Sequence, residues 1–169
     1  SGLKPFVKYW MHVAFLVNKE QKMSKSAGNF ETVNELLKKY SKETLRFYLL
    51  SGHYRQPLEF SDAMLRQSQA GIDRISEFLI KIDKMIDLEA KLPSDFEAEF
   101  PKIINSTKKR FIQAMDNDFN MPEAFASIFE MIRKLNPFIN ANQLDKPQIQ
   151  SILKLFNEIN EILGIVSKE

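Results

Sequence analysis

Lys22-Met23-Ser24-Lys25-Ser26, which runs on into Ala27-Gly28-Asn29-Phe30, is the stretch of this chain best suited to chemistry. Its two lysines, with serines beside them and a glycine following, make a cationic strip able to close over a polyphosphate, each ammonium acting as a point charge. A cation delivered where negative charge builds on departing phosphates stabilises the transition state more than the ground state. Met23, Ser24 and Ser26 complete the expected phosphate-handling loop around Lys22 and Lys25.

Such a loop needs elements that carry it. Val13-Ala14-Phe15-Leu16-Val17 is a short apolar run and the only plausible β structure, followed by a turn at Asn18-Lys19-Glu20-Gln21. Thr32 and Glu35 fit a capping box, predicting a helix to about Lys39; a second helix runs from about Lys42 to near Gly52. From Ser61 the apolar residues Leu65, Ile72, Ile75, Leu79, Ile82 and Ile86 recur at helical spacing, with Ser68 in the gap and Pro93 as the stop. Ser94 to Glu97 is a possible capping box, but Pro101 places the next firm start there, for a helix to about Met115 with Ile104, Thr107, Phe111 and Ala114 inward. Asn120 with Pro122 opens another helix, which Pro137 should kink or end. Asp145 with Pro147 opens the last, closed by Gly164. The expected fold is mainly α: residues 1–60 form a short β/α region bearing the loop, and residues 61–169 form an antiparallel bundle of about four helices.

With 169 residues, 44% of them hydrophobic, the chain can bury a real core. No apolar run approaches the ~20 residues that span a bilayer, and nothing resembles a signal peptide. The absence of Cys excludes a disulfide scaffold; with only His12 and His53 as histidines, no metal site is expected within the chain. The net charge of +2 hides an asymmetry: residues 1–60 carry ten Lys/Arg against five Asp/Glu, whereas the remainder is acidic. A basic front third suits ATP or an RNA backbone, and RNA contacts farther on must be local. Lys108-Lys109-Arg110 and Arg133-Lys134 are candidate patches, although a charge run is usually a solvated helix face.

The lysine pentapeptide matches the nucleotide-loop signature of class I aminoacyl-tRNA synthetases, and more of the chain resembles the cysteine-specific branch of that family. The carrying stretches are Tyr9-Trp10-Met11-His12, Leu45-Arg46-Phe47-Tyr48-Leu49-Leu50 and the run from Ser51-Gly52-His53-Tyr54-Arg55-Gln56-Pro57 to Ser61. Asp116-Asn117-Asp118-Phe119-Asn120-Met121-Pro122 is similar to an acidic motif of the family's helical domain. The resemblance implies an ATP-dependent ligase that forms cysteinyl adenylate and transfers cysteine to its tRNA. Lys25 is then the residue assigned to ATP, with Lys22 its companion and Mg2+ accompanying the nucleotide. The bundle is implied to be an anticodon-binding-type, tRNA-holding domain, and the parent a cytoplasmic monomer not associated with membranes.

The family's second nucleotide signature, His-x-Gly-His on a Rossmann-type sheet, is not in these residues, and its zinc ligands are expected upstream. A chain that opens at Ser1-Gly2 is therefore expected to be a C-terminal fragment, inactive alone. Trp10 and His12 could line the adenine or aminoacyl pocket, or belong to a core. His53 and Arg55 could touch the inner bend of the tRNA or be structural, while Asp116 and Asp118 read as helix-junction caps. Two rivals remain: a ligase that joins cysteine to an amino-sugar in thiol-cofactor synthesis, and a non-catalytic helical module that binds RNA or protein.

Overall fold

A computed structural model describes residues 2, 4, 6–18, 21–22, 31–86 and 93–167. The first third holds β1 (Leu16–Asn18), β2 (Gln21–Lys22), α1 (Val33–Leu36), α2 (Lys42–Leu50) and β3 (Leu58–Glu59). After it come α3 (Asp62–Asp83), α4 (Ser94–Glu97), α5 (Phe100–Asp116), α6 (Met121–Asn140) and α7 (Lys146–Leu163). The fold is mainly α, as the sequence predicts: a small sheet with two short helices, then a helical bundle.

The sheet has the order β2-β1-β3. β1 and β2 are antiparallel with Asn18 opposite Gln21, so both residues, expected in a turn, belong to strands. β1 also begins at Leu16 rather than Val13. β3 is a strand the sequence does not announce. It lies parallel to β1, with the Leu58 N–H donating to the Phe15 carbonyl (3.1 Å) and the Phe60 N–H to that of Val17 (2.7 Å). Two residues beside Pro57 carry no alternation to read, and only the free edge of β1 makes them a strand.

Helix starts follow local chemistry. The Thr32–Glu35 capping box forms, with the Thr32 N–H donating to Glu35 Oε2 at 2.8 Å and the Glu35 N–H to Thr32 Oγ1 at 3.2 Å. α1 nevertheless stops at Leu36, short of Lys39. Ser41, Ser61, Asn120 and Asp145 cap α2, α3, α6 and α7. The Ser94–Glu97 box does not form: Pro93 is the cap of α4 and makes no side-chain hydrogen bond.

Helix ends depart further from expectation. α3 closes at Asp83, where the Met85 N–H donates to Ile82 and that of Ile86 to Asp83 in tight three-residue turns, so Ile86 lies beyond the helix. Inside α5, Ile103 is the buried residue and Ile104 only half-buried. α6 runs past Pro137 to Asn140, since Pro137 and the Arg133 turn that loses its hydrogen bond both face solvent. Gly164 ends α7 at φ 60°, and a β-carbon there would meet Arg46 Nε at 3.1 Å.

The main core joins α3 to α7 through residues such as Ile75, Phe78, Ile128, Leu135 and Ile152. α2 contributes Phe47 to it, packed on Phe125 at 4.5 Å between ring centres. A second cluster of Leu36, Leu45, Tyr48, Phe60 and Leu65 seats the sheet region on α2 and α3.

Candidate functional site

β2 ends on the first lysine of the signature: Lys22 lies opposite Val17 of β1. Met23, Ser24, Lys25 and Ser26 lie outside the described residues. Upstream, Trp10 and His12 stack on each other with ring centres 6.4 Å apart, and both are exposed, Trp10 by 75%. Neither belongs to a core within this chain. Phe6, Tyr9, Met11 and Val13 are exposed with them, so the segment leading to β1 is an apolar surface.

His53, Tyr54 and Arg55 meet Asp118, a juxtaposition that the sequence does not announce. Arg55 Nε donates to Asp118 Oδ2 at 2.6 Å and Nη2 to Oδ1 at 3.0 Å, a bidentate pair. The Tyr54 hydroxyl donates to Oδ1 at 2.5 Å, and His53 Nε2 stands 3.8 Å from Oδ2. The Arg55 and then the Tyr54 hydrogen bonds hold the Asp118 carboxyl down at about 2, and the same contacts raise the Arg55 guanidinium and the Tyr54 phenol. Stacking adds order: the Arg55 guanidinium lies 4.9 Å from the centre of the Tyr54 ring, which meets Phe119 edge-on at 6.5 Å.

The backbone explains how Asp118 reaches that far. Asp118 (φ 55°) and Phe119 (φ 53°) are successive left-handed residues at the corner between α5 and α6. Asp tolerates that conformation because its short side chain hydrogen-bonds nearby, whereas Phe adopts it rarely. The corner turns the carboxylate away from the bundle toward residues 53–55. Beside it an apolar cleft of about 220 Å³ opens between Met11, Leu49, Met115, Phe119 and Ile162.

The candidate basic patch is largely engaged. Lys108 Nζ donates to Glu158 of α7 at 2.7 Å, and Arg110 binds Glu123 at 2.7 Å and also Glu130, both on α6. These contacts raise the Arg110 guanidinium and lower the Glu130 and Glu158 carboxyls. Lys134 reaches Glu130 at 3.1 Å, while Lys109 and Arg133 are exposed. Among the described residues no group of three His, Cys, Asp or Glu side chains is placed to hold a metal ion, and no helix is long and apolar enough to cross a membrane.

Residues 1–70 match the family model described as tRNA synthetases class I (C) catalytic domain, and residues 110–167 match the DALR domain. Over 166 residues the chain is 36% identical to a cysteine–tRNA ligase of Geobacter sulfurreducens, covering 98% of this chain and 34% of the relative. It is 39% identical over 167 residues to that of Trichlorobacter lovleyi, covering 95% and 34%, and 44% identical over 134 residues to that of Geobacter sp. strain M21, covering 79% and 28%. The chain thus spans about a third of the length of the relatives it matches.

Proposed function

Because the chain belongs to the cysteine–tRNA ligase family, we propose that the complete protein activates cysteine with ATP as cysteinyl adenylate and then attaches it to its tRNA. The observation that carries this is the nearly end-to-end likeness to cysteine–tRNA ligases, with a class I (C) synthetase match at the front and a DALR match over α6 and α7. Residues 1–60 supply the edge of the catalytic domain and its lysine loop, and residues 61–169 the helices that hold tRNA. An amino-sugar ligase is not favoured, since the relatives are tRNA ligases and the DALR match covers α6 and α7.

In this reading the cysteine carboxylate attacks the α-phosphate of ATP, and Lys25 with Lys22 neutralises the charge that builds on departing pyrophosphate, alongside Mg2+. Lys22 closes β2, paired with Val17 of β1, and the pentapeptide continues from there, an arrangement suited to a loop that closes after substrate binds. Trp10 and His12 face outward next to the β1–β2 hairpin, where they would line the nucleotide or aminoacyl pocket. The zinc that selects a cysteine thiolate would be held by residues beyond this chain. Of the proposed tRNA contacts, Lys109 is exposed; His53 and Arg55 present their outer edges beside Asp118, and Lys108 and Arg110 already pair with glutamates.

The test is ATP–pyrophosphate exchange by the complete protein against the twenty amino acids. Exchange with cysteine alone is expected, and none from the 169 residues by themselves. Exchange with a different amino acid would move the protein elsewhere in class I, and none at all would leave the helical binding module as the better account.

A further inference from the structure

Tyr54 faces two ways. Its hydroxyl is bound to Asp118 at the corner of the bundle, while its backbone carbonyl accepts the Ala14 N–H at 2.8 Å. Ala14 leads directly into β1, and Val17 of β1 pairs with Lys22 of β2. From the α5–α6 corner to the first lysine of the signature there is thus a continuous path of one carboxylate, one tyrosine and hydrogen-bonded strand backbone. Arg55 doubles the grip on Asp118, and the left-handed backbone at Asp118 and Phe119 is an unusual conformation maintained where that grip is made.

Attachment does not depend on this path. Phe47 anchors α2 in the bundle core, and the Leu36, Leu45, Tyr48, Phe60 and Leu65 cluster seats the sheet region. Asp118 is 42% exposed at its side chain and belongs to neither cluster. Removing its contacts therefore leaves both cores and the β1–β2 and β1–β3 pairings in place and loosens the Tyr54–Arg55 segment, whose carbonyl at Tyr54 holds the Ala14 N–H just ahead of β1.

We propose that Asp118 is a positioning residue: by holding Tyr54 and Arg55 it sets the stance of β1 and the β1–β2 hairpin relative to the bundle, and so of Lys22, the signature lysine on which β2 ends. What the lysines do rests on the synthetase reading; the mechanical link does not.

Backbone hydrogen exchange on the 169-residue chain tests the link. Asp118→Ala is expected to speed exchange at the Ala14 amide and along β1 by on the order of tenfold, with α6 and α7 unchanged. Asp118→Asn, which keeps an acceptor and tolerates the left-handed backbone, is expected to fall between. Should Asp118→Ala disturb the corner itself, Tyr54→Phe combined with Arg55→Gln removes the same contacts from the other side and is expected to give the same loosening. Unchanged protection at residues 14–18 in both would overturn the proposal. In the complete enzyme, Asp118→Asn is expected to lower kcat for cysteine-dependent exchange severalfold while KM for ATP holds. A loosened β1 with unchanged kcat would overturn the claim about Lys22. A wild-type enzyme that exchanges with no amino acid would overturn the synthetase reading alone, because the hydrogen-exchange result is independent of it.

Discussion

Lys25 and Asp118 differ in how their roles are reached. Lys25 stands in a contiguous word whose chemistry follows from residue type and spacing, so its expected role is legible in the sequence alone. Lys25→Ala in the complete enzyme is expected to slow adenylate formation by more than about tenfold, since a transition-state cation is lost, with little change in the thermal midpoint. Unchanged pyrophosphate exchange would remove Lys25 from the mechanism. Asp118 reads by sequence as a helix-junction cap, yet it binds Arg55, 63 residues away in the chain. No periodicity encodes that pairing; the nearest signal is an Asp next to a Phe at a corner that must turn left-handed. Its electrostatics give a pH test. A carboxyl ordinarily at 3.8 is held at about 2 by Arg55, Tyr54 and, more weakly, His53, so folding favours the ionised form. The stabilisation is complete above about pH 4 and is lost as pH falls through 2. Denaturant midpoints of wild type and Asp118→Asn are expected to differ at neutral pH and converge between pH 4 and 2. A gap that persists at pH 2 would mean the contacts do not act through the carboxylate charge.

At the scale of elements, legibility follows the reach of the interaction. The Thr32, Asn120 and Asp145 caps and the Gly164 stop each depend on residues within one turn, and each forms as the sequence predicts. Elements defined by distant partners are not legible: β3 exists only because β1 has a free edge, and α3 ends well before Pro93, the stop that the sequence offers. Phe47 is the sharpest case. By spacing it is merely another residue of α2, but its ring lies between Phe125 and Phe129 of α6 and over Gly71 of α3, where a β-carbon would come within 3.0 Å of it. α2 is thus tied to the bundle core through Phe47 as well as to its own sheet through Leu45 and Tyr48. Phe47→Ala should cost about 3 kcal/mol, the usual range for emptying a buried aromatic site. Chemical denaturation reads it directly, and a loss below about 1 kcal/mol would show that Gly71 and Phe129 collapse into the gap.

Across the whole molecule, charge is arranged differently in the two parts. The positive excess lies in residues 1–60, and in the bundle Lys108, Arg110 and Lys134 are drawn onto Glu158, Glu123 and Glu130. The Lys108 and Arg110 pairs tie α5 to α7 and α6, the Lys134–Glu130 pair lies within α6, and each removes a cation from competition for phosphate. Lys109, between two paired neighbours, is exposed and so better placed to exchange a counterion for an RNA phosphate. If the bundle holds tRNA on this face, Lys109→Ala in the complete enzyme reduces the slope of log affinity against log salt by about 0.7–0.9, the loss of one phosphate contact. Lys108→Ala, which breaks the pair with Glu158, is expected to lower the thermal midpoint slightly and leave that slope unchanged. A slope that falls for Lys108 but not for Lys109 would mean the α5–α7 pair opens when RNA binds. The basic run would then act as a set of exchangeable partners rather than as one exposed contact flanked by struts.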